Sequence, residues 1–167
     1  MKLYKLTDQN GQTFNKTQWG VNIRHEAIGN GKELCTNGWI HAYESPLLAV
    51  LLNPIHANFK SPRLWEAEGE VGICQGQLKC GCKILTTLRE IPLPEVTITQ
   101  RIEFAIHCAL EVYSEKTFVD WASDWLSNTN RTAASAEAAA AAAAAASARA
   151  EAKLDLISIC KKVFHEA

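Results

Sequence analysis

The sequence predicts an α+β fold: a small strand-rich N-terminal module followed by a C-terminal helical bundle with one long alanine-rich helix. Three observations carry this expectation. Up to about Pro92, apolar residues recur with the two-residue period of half-buried strands. Past Ile91-Pro92-Leu93-Pro94, which can continue neither a strand nor a helix, the period becomes that of an amphipathic helix. From Ala133 to Ala152, fifteen of twenty residues are alanine. The chain is therefore read as a head over residues 1–92 and a three-helix region over 95–167.

Within the head, Lys2 to Thr7 suits a half-buried strand, and Asp8-Gln9-Asn10-Gly11 is a turn signal. Thr17 to Ile23 is a weaker strand candidate. Gly29-Asn30-Gly31-Lys32 marks another turn before Leu34 to Tyr43. Ser45-Pro46 opens a helix, because serine caps well and proline fits the first helical position. Leu47 to Leu52 continue it, and Asn53-Pro54 is expected to end it. Arg63 to Val71 sets Leu64, Glu66, Glu68 and Glu70 against Trp65, Ala67 and Gly69, a strand with one charged face, with Lys79 to Leu88 as its partner.

In the helical region, Ile102, Ala105, Ile106, Ala109, Leu110 and Tyr113 fall on one helix face, with Thr97 or Thr99 as cap. A second helix carries Phe118, Ala122, Trp125 and Leu126, and Ser127-Asn128-Thr129-Asn130 is the turn after it. The third is expected over 132–165. Alanine loses no rotamer freedom on forming a helix, so this tract needs little tertiary help. It also buries little area, so its anchor is expected in the stripe Leu156, Ile157, Cys160, Val163 and Phe164. Either the tract is a spacer, or its bare face, with Ala138, Ala142, Ala146 and Arg149, is a docking surface for a partner or a second copy.

Lysine and arginine total 17 against 18 acidic residues, for a net charge of −1. The basic footprint that binds a duplex is missing, so nucleic acid is not an expected partner. The polyalanine run is too weakly hydrophobic for a membrane span, and Met1 to Leu6 lacks the apolar core of a signal peptide. A cytoplasmic protein follows, whose six cysteines are expected as thiols or ligands rather than disulfides.

Candidate chemistry is sparse. Trp39, His41 and Tyr43 share one face if Trp39 to Tyr43 is a strand. Two aromatics flanking an imidazole could stack on a nucleotide, with His41 as a hydrogen-bonding or general-base group; the plainer alternative is an aromatic core face. Cys80-Gly81-Cys82, with Cys74 upstream and Cys35, His25, His41 and His56 elsewhere, could supply zinc ligands, but it lacks the second pair that a structural zinc site needs, so no metal is expected. His107 and Cys108 are adjacent on a helix and do not face each other, with Cys108 opposite the apolar face. No cofactor and no catalytic residue is expected.

Two resemblances extend this reading. Glu33-Leu34-Cys35-Thr36-Asn37-Gly38-Trp39-Ile40-His41-Ala42, then Ser45-Pro46-Leu47 and Trp65-Glu66-Ala67-Glu68-Gly69-Glu70-Val71, resemble a phage and prophage domain of the pattern C-x-x-G-F-H-A-C-x-x-P-L. Tyr43 stands where that pattern has cysteine. Arg101 to Val112, a tryptophan-bearing helix and an alanine run resemble an alanine-rich immunity protein family frequent in phage genomes. The order of elements is also similar to that of mono-ADP-ribosyltransferases, at the level of fold alone. The resemblances imply a non-enzymatic phage accessory protein that binds a host protein, for example as an anti-CRISPR-type inhibitor. An ADP-ribosyltransferase-like or nucleotide-binding protein, with its pocket at Trp39, His41 and Tyr43 and perhaps Glu66 or Glu68, is the first alternative. A self-assembling protein, forming a homo-oligomer through the alanine helix, is the second.

Overall fold

The computed structural model describes residues 1–131 and 154–165. The chain is α+β and divides into two compact units, Met1–Glu95 and Val96–Ala167.

The first unit is built on a long hairpin. Strands β6 (Arg63–Gln75) and β7 (Lys79–Ile91) run antiparallel through a turn in which Gly76 takes a φ of +52°, a conformation that glycine adopts without strain. Register shifts at Glu66/Ala67, Gly69/Val71 and Val71/Ile73 bend the hairpin. On one side β1 (Lys2–Thr7) pairs with β6 from Lys2↔Glu68 to Thr7↔Arg63. On the other side β7 carries β4 (Ile23–Glu26) and β5 (Ile40–Ala42). Tyr4 and Tyr43 then exchange both backbone hydrogen bonds, at 2.8 and 2.9 Å, so β1 is also tied to the end of β5. The hydrogen-bonded path β1–β6–β7–β5–β1 is closed, and neither edge of β1 is left wholly open. Leu3, Trp19, Ala42, Ala67, Cys82 and Leu85 pack together as its core.

Around this sheet the loops follow local chemistry. Asp8 Oδ1 accepts from the backbone N–H groups of Asn10 and Gln12, both at 2.8 Å, and Gly11 turns at φ +74°. The weak strand candidate at 17–23 shortens to β3 (Thr17–Gln18), paired with β2 (Gln12–Thr13), because Trp19 turns inward to the core. Helix α1 (Pro46–Leu51) is capped by Ser45, with Leu47 to Leu52 all buried. Asn53-Pro54 does not end the helical path. Proline is as well suited to a new first turn as to a stop, and α2 (Asn53–His56) begins there. The Asn53 side chain brackets Phe59, donating to its carbonyl at 2.9 Å and accepting from its N–H at 3.0 Å.

Expected as thiols or ligands, Cys74 and Cys80 are instead joined as a disulfide. They oppose each other directly across the hairpin, a register that brings two cysteine side chains within bonding reach. Cys35, Cys82 and Cys108 are thiols.

In the second unit, α3 (Ile98–Leu110) opens on a reciprocal capping box between Thr97 and Gln100. Ile106 packs with Ala122 and Trp125 of α4 (Lys116–Leu126), flanked by Ile102, Leu110, Phe118 and Leu126. The last helix is α5 (Leu156–Phe164), with Asp155 as its N-cap, so the described end of the expected 132–165 helix starts afresh at Asp155. The aspartate side chain accepts from the Ser158 N–H, satisfying a backbone donor that a continuous helix would have used internally. The alanine tract, with Ala138, Ala142, Ala146 and Arg149, lies outside the described residues. On α5 the buried set is Leu156, Ile159, Cys160 and Val163, with Ile157 and Phe164 only half-buried. Cys108 is buried rather than facing out from the apolar face. Helix α5 packs on α3 and brings Cys160 near it. No described helix is long and apolar enough to cross a membrane.

Trp125 is 3% exposed and lies under the Arg131 guanidinium, 4.4 Å from its ring centroid. Trp125→Ala should therefore remove about 3–5 kcal/mol from the stability of the helical unit. Urea unfolding followed by far-UV circular dichroism reads this, and a loss below about 1 kcal/mol would contradict the packing described.

Candidate functional site

An open pocket of about 620 Å3 lies in the first unit. Trp39, His41 and Tyr43, from β5 and its flanks, all line it. Trp19, Phe14 and Phe59 add aromatic wall, and Lys5, His56 and Lys79 add polar groups. Glu26 is the one carboxylate among the described residues lining it.

Each wall is set by neighbouring backbone. The Trp39 indole donates to the Lys32 carbonyl at 3.3 Å and has the Lys83 ammonium 4.2 Å from its ring centroid. Its ring lies over Gly72, where an added Cβ would overlap it. The His41 Nε2 is 2.5 Å from the Leu34 carbonyl oxygen. A carbonyl only accepts, so Nε2 carries the proton and Nδ1 is the acceptor nitrogen of the neutral ring. Tyr43 and His56 stack with ring centroids 5.8 Å apart, and the Tyr43 hydroxyl lies 3.0 Å from His56 Nδ1. Helix α2, restarted at Asn53-Pro54, is what brings His56 there.

The electrostatics of these groups run one way. Burial lowers the His41 pKa below that of an ordinary histidine, reinforced by Lys79 and Lys5 against the partial support of the Leu34 carbonyl. Burial, followed by Lys79 and His41, takes His56 down to about 4. Burial pushes the Tyr43 hydroxyl up to about 12. At neutral pH both imidazoles and the phenol are uncharged, so these three groups present neutral donors and acceptors.

Lys5 is the residue that sequence reading missed. It lies on the same face of β1 as Leu3 and Thr7 and is only 7% exposed. Its ammonium donates to the His41 carbonyl at 2.7 Å and sits 5.0 Å from the Trp19 ring centroid. Desolvation lowers its pKa to about 8, opposed in part by the Cys82 thiol. The sequence likewise does not show that His56, Lys79 and Trp19 join this pocket, since each reaches it from a separate element.

Other candidates fall elsewhere. Glu66 sits between Lys2, at 3.4 Å, and Arg89, at 2.7 Å, and neither Glu66 nor Glu68 lines the pocket. A hydrogen bond from Arg89, with Lys2 beside it, holds the Glu66 carboxyl below the usual range, as expected of an ion-paired surface group. Among the described residues no group of three or more metal-ligating side chains comes together. No family model, no curated protein and no solved structure matches the chain.

Lys5 makes the stability of the first unit depend on pH. Between the folded value of about 8 and the unfolded 10.5, the unfolded chain holds a proton that the folded chain has lost. Stability therefore rises with pH across that window, by about 3 kcal/mol from this residue, and the penalty is fully present below pH 8. Lys5→Met should flatten the rise and stabilise the first unit at pH 7 by about 1–3 kcal/mol, after the loss of the bond to His41. Denaturant midpoints of both proteins at pH 7 and pH 10 test this. An unchanged difference between them would place the ammonium in water.

Proposed function

We propose that this chain is a binding protein whose first unit recognises a planar ligand of the nucleotide type in the pocket at Trp39, His41 and Tyr43. The observation that carries the reading is the combination of a 620 Å3 open pocket with aromatic walls and uncharged hydrogen-bonding groups. A base offers a flat π-face to such walls and mixed donors and acceptors to an imidazole and a phenol. The volume falls in the range that small-molecule sites occupy. The nearness of Tyr43 to His56 supports recognition by a fixed polar pair rather than by a solvated side chain.

A second reading rests on a separate observation. Phe14 and Ile28, which also line the pocket, are 85% and 96% exposed. Apolar side chains held in water beside a cavity suit a protein partner. With the resemblance of residues 33–167 to phage families, they support a cytoplasmic phage accessory protein that binds and inhibits a host protein. In that reading the second unit is a helical bundle, and its alanine tract offers the partner or a second copy a close-approach surface.

The first reading is tested by titrating adenosine nucleotides while following tryptophan fluorescence, since Trp19 and Trp39 both line the pocket. Saturable quenching is expected, and Trp39→Ala should weaken binding at least tenfold, because base–aromatic stacking is worth about 1–3 kcal/mol. Absence of any saturable response at millimolar nucleotide would remove the nucleotide reading.

A further inference from the structure

We propose that Lys5 is an anion anchor, and that the pocket takes the phosphate end of its ligand against this ammonium, with Lys79 as the second cation. The proposal deepens the nucleotide reading and rests on it for the remainder of the ligand.

Lys5 is an uncompensated buried charge. A buried ammonium is normally paired, because removing it from water is costly unless an anion and hydrogen bonds replace the lost solvation. Among the described residues, none of the ion pairs includes Lys5. Its ammonium has three N–H donors, and the one hydrogen bond described for it goes to the His41 carbonyl. The Trp19 ring face supplies a second, weaker partner. Donor capacity and a full positive charge remain beside an open cavity.

The surrounding groups push in the same direction. Lys79 and Lys5 both lower the His41 pKa, and Lys79 also lowers that of His56, so the two ammonium groups impose one positive field on the imidazoles around the cavity. His25 also lines the pocket, its Nε2 2.7 Å from the Gln18 carbonyl oxygen. Against these stands Glu26, which is 3.7 Å from Arg24 and so already has a cation of its own. Lys79 has its ammonium 3.2 Å from the Cys35 sulfur, a weak acceptor that an oxyanion would readily outcompete. A cavity with low-dielectric aromatic walls focuses such a field and attracts anions. An oxyanion would supply what the fold omits at Lys5: a counter-charge and acceptors for the remaining donors.

The test is calorimetry on the full chain at low ionic strength with three probes: AMP, adenosine and inorganic pyrophosphate. AMP should bind at least tenfold more tightly than adenosine, and pyrophosphate should bind alone and compete with AMP. Lys5→Met should bring AMP affinity to the adenosine level while adenosine affinity changes less than twofold. Equal affinity for AMP and adenosine in the unaltered protein, or a tenfold preference surviving in Lys5→Met, would overturn the anchor and leave the nucleotide reading standing. Pyrophosphate binding that depends on Lys5 without adenosine binding would support the anchor and remove the nucleotide reading, and no binding of any probe would remove both. Should Lys5→Met fold poorly, acylation of the unaltered protein at pH 8.5 with peptide mass analysis decides. AMP should slow modification of Lys5 at least threefold, and no protection would overturn the proposal.

Discussion

The reciprocal backbone pair between Tyr4 and Tyr43 is the constraint on which the first unit depends. With β6 on one edge and Tyr43 on the other, β1 is a shared stave of a closed sheet. Its pleat then has an inside face, which Leu3, Lys5 and Thr7 occupy. A one-residue slip would turn Lys5 outward, but it would turn Leu3 outward too, and the core around Trp19, Ala42 and Leu85 would lose its centre. Closure thus fixes a lysine in the interior as a by-product of fixing a leucine. It also sets Tyr43 on the pocket wall, where α2 meets it with His56.

Much of this architecture was legible in the sequence. The change of period at Ile91-Pro92-Leu93-Pro94, the Ser45-Pro46 start, the Thr97 cap and the Phe118–Leu126 face are local signals, and local signals survive folding. What escaped depends on long-range pairing. Lys5 looks like the polar half of an exposed alternation until β1 acquires a second neighbour. Trp19 sits in the weaker strand candidate at 17–23, but the strand ends at Gln18 and the Trp19 N–H donates to the Gly11 carbonyl at 2.7 Å, a long-range pairing that its own neighbours do not signal. Cys108 looked outward because the face it occupies is covered by α5, some fifty residues further on by number. The disulfide partner of Cys80 follows from hairpin register, which composition cannot supply. At the site, Trp39, His41 and Tyr43 were visible as a short alternating triplet, whereas the basic groups around them come from β1, α2 and β7.

The first unit carries this pocket at a thermodynamic disadvantage. An ammonium buried without a carboxylate, bonded to the His41 carbonyl in a pocket whose His41 and His56 are held neutral by burial, lowers stability. An apolar residue at position 5 would suit the core better by the same bookkeeping. Sites of this kind commonly sacrifice folding energy to hold a group in an unfavourable state. The exposed Phe14 and Ile28 have the same character, since apolar surface left in water also runs against stability.

The glycines beneath Trp39 have a wider implication. A methyl group at Gly72 would collide with the indole ring, and one at Gly81 would approach the Trp39 Cβ to 3.0 Å and the Leu34 side chain to 2.6 Å. Two glycines on adjacent strands thus leave the space that Trp39 occupies, and a side chain at either would press against it. A distant cousin of this chain could replace His41 or Lys79 and keep the same cavity shape. One that lost either glycine would have to reseat the ring, so the shape of this cavity depends on two residues without side chains as much as on those that line it.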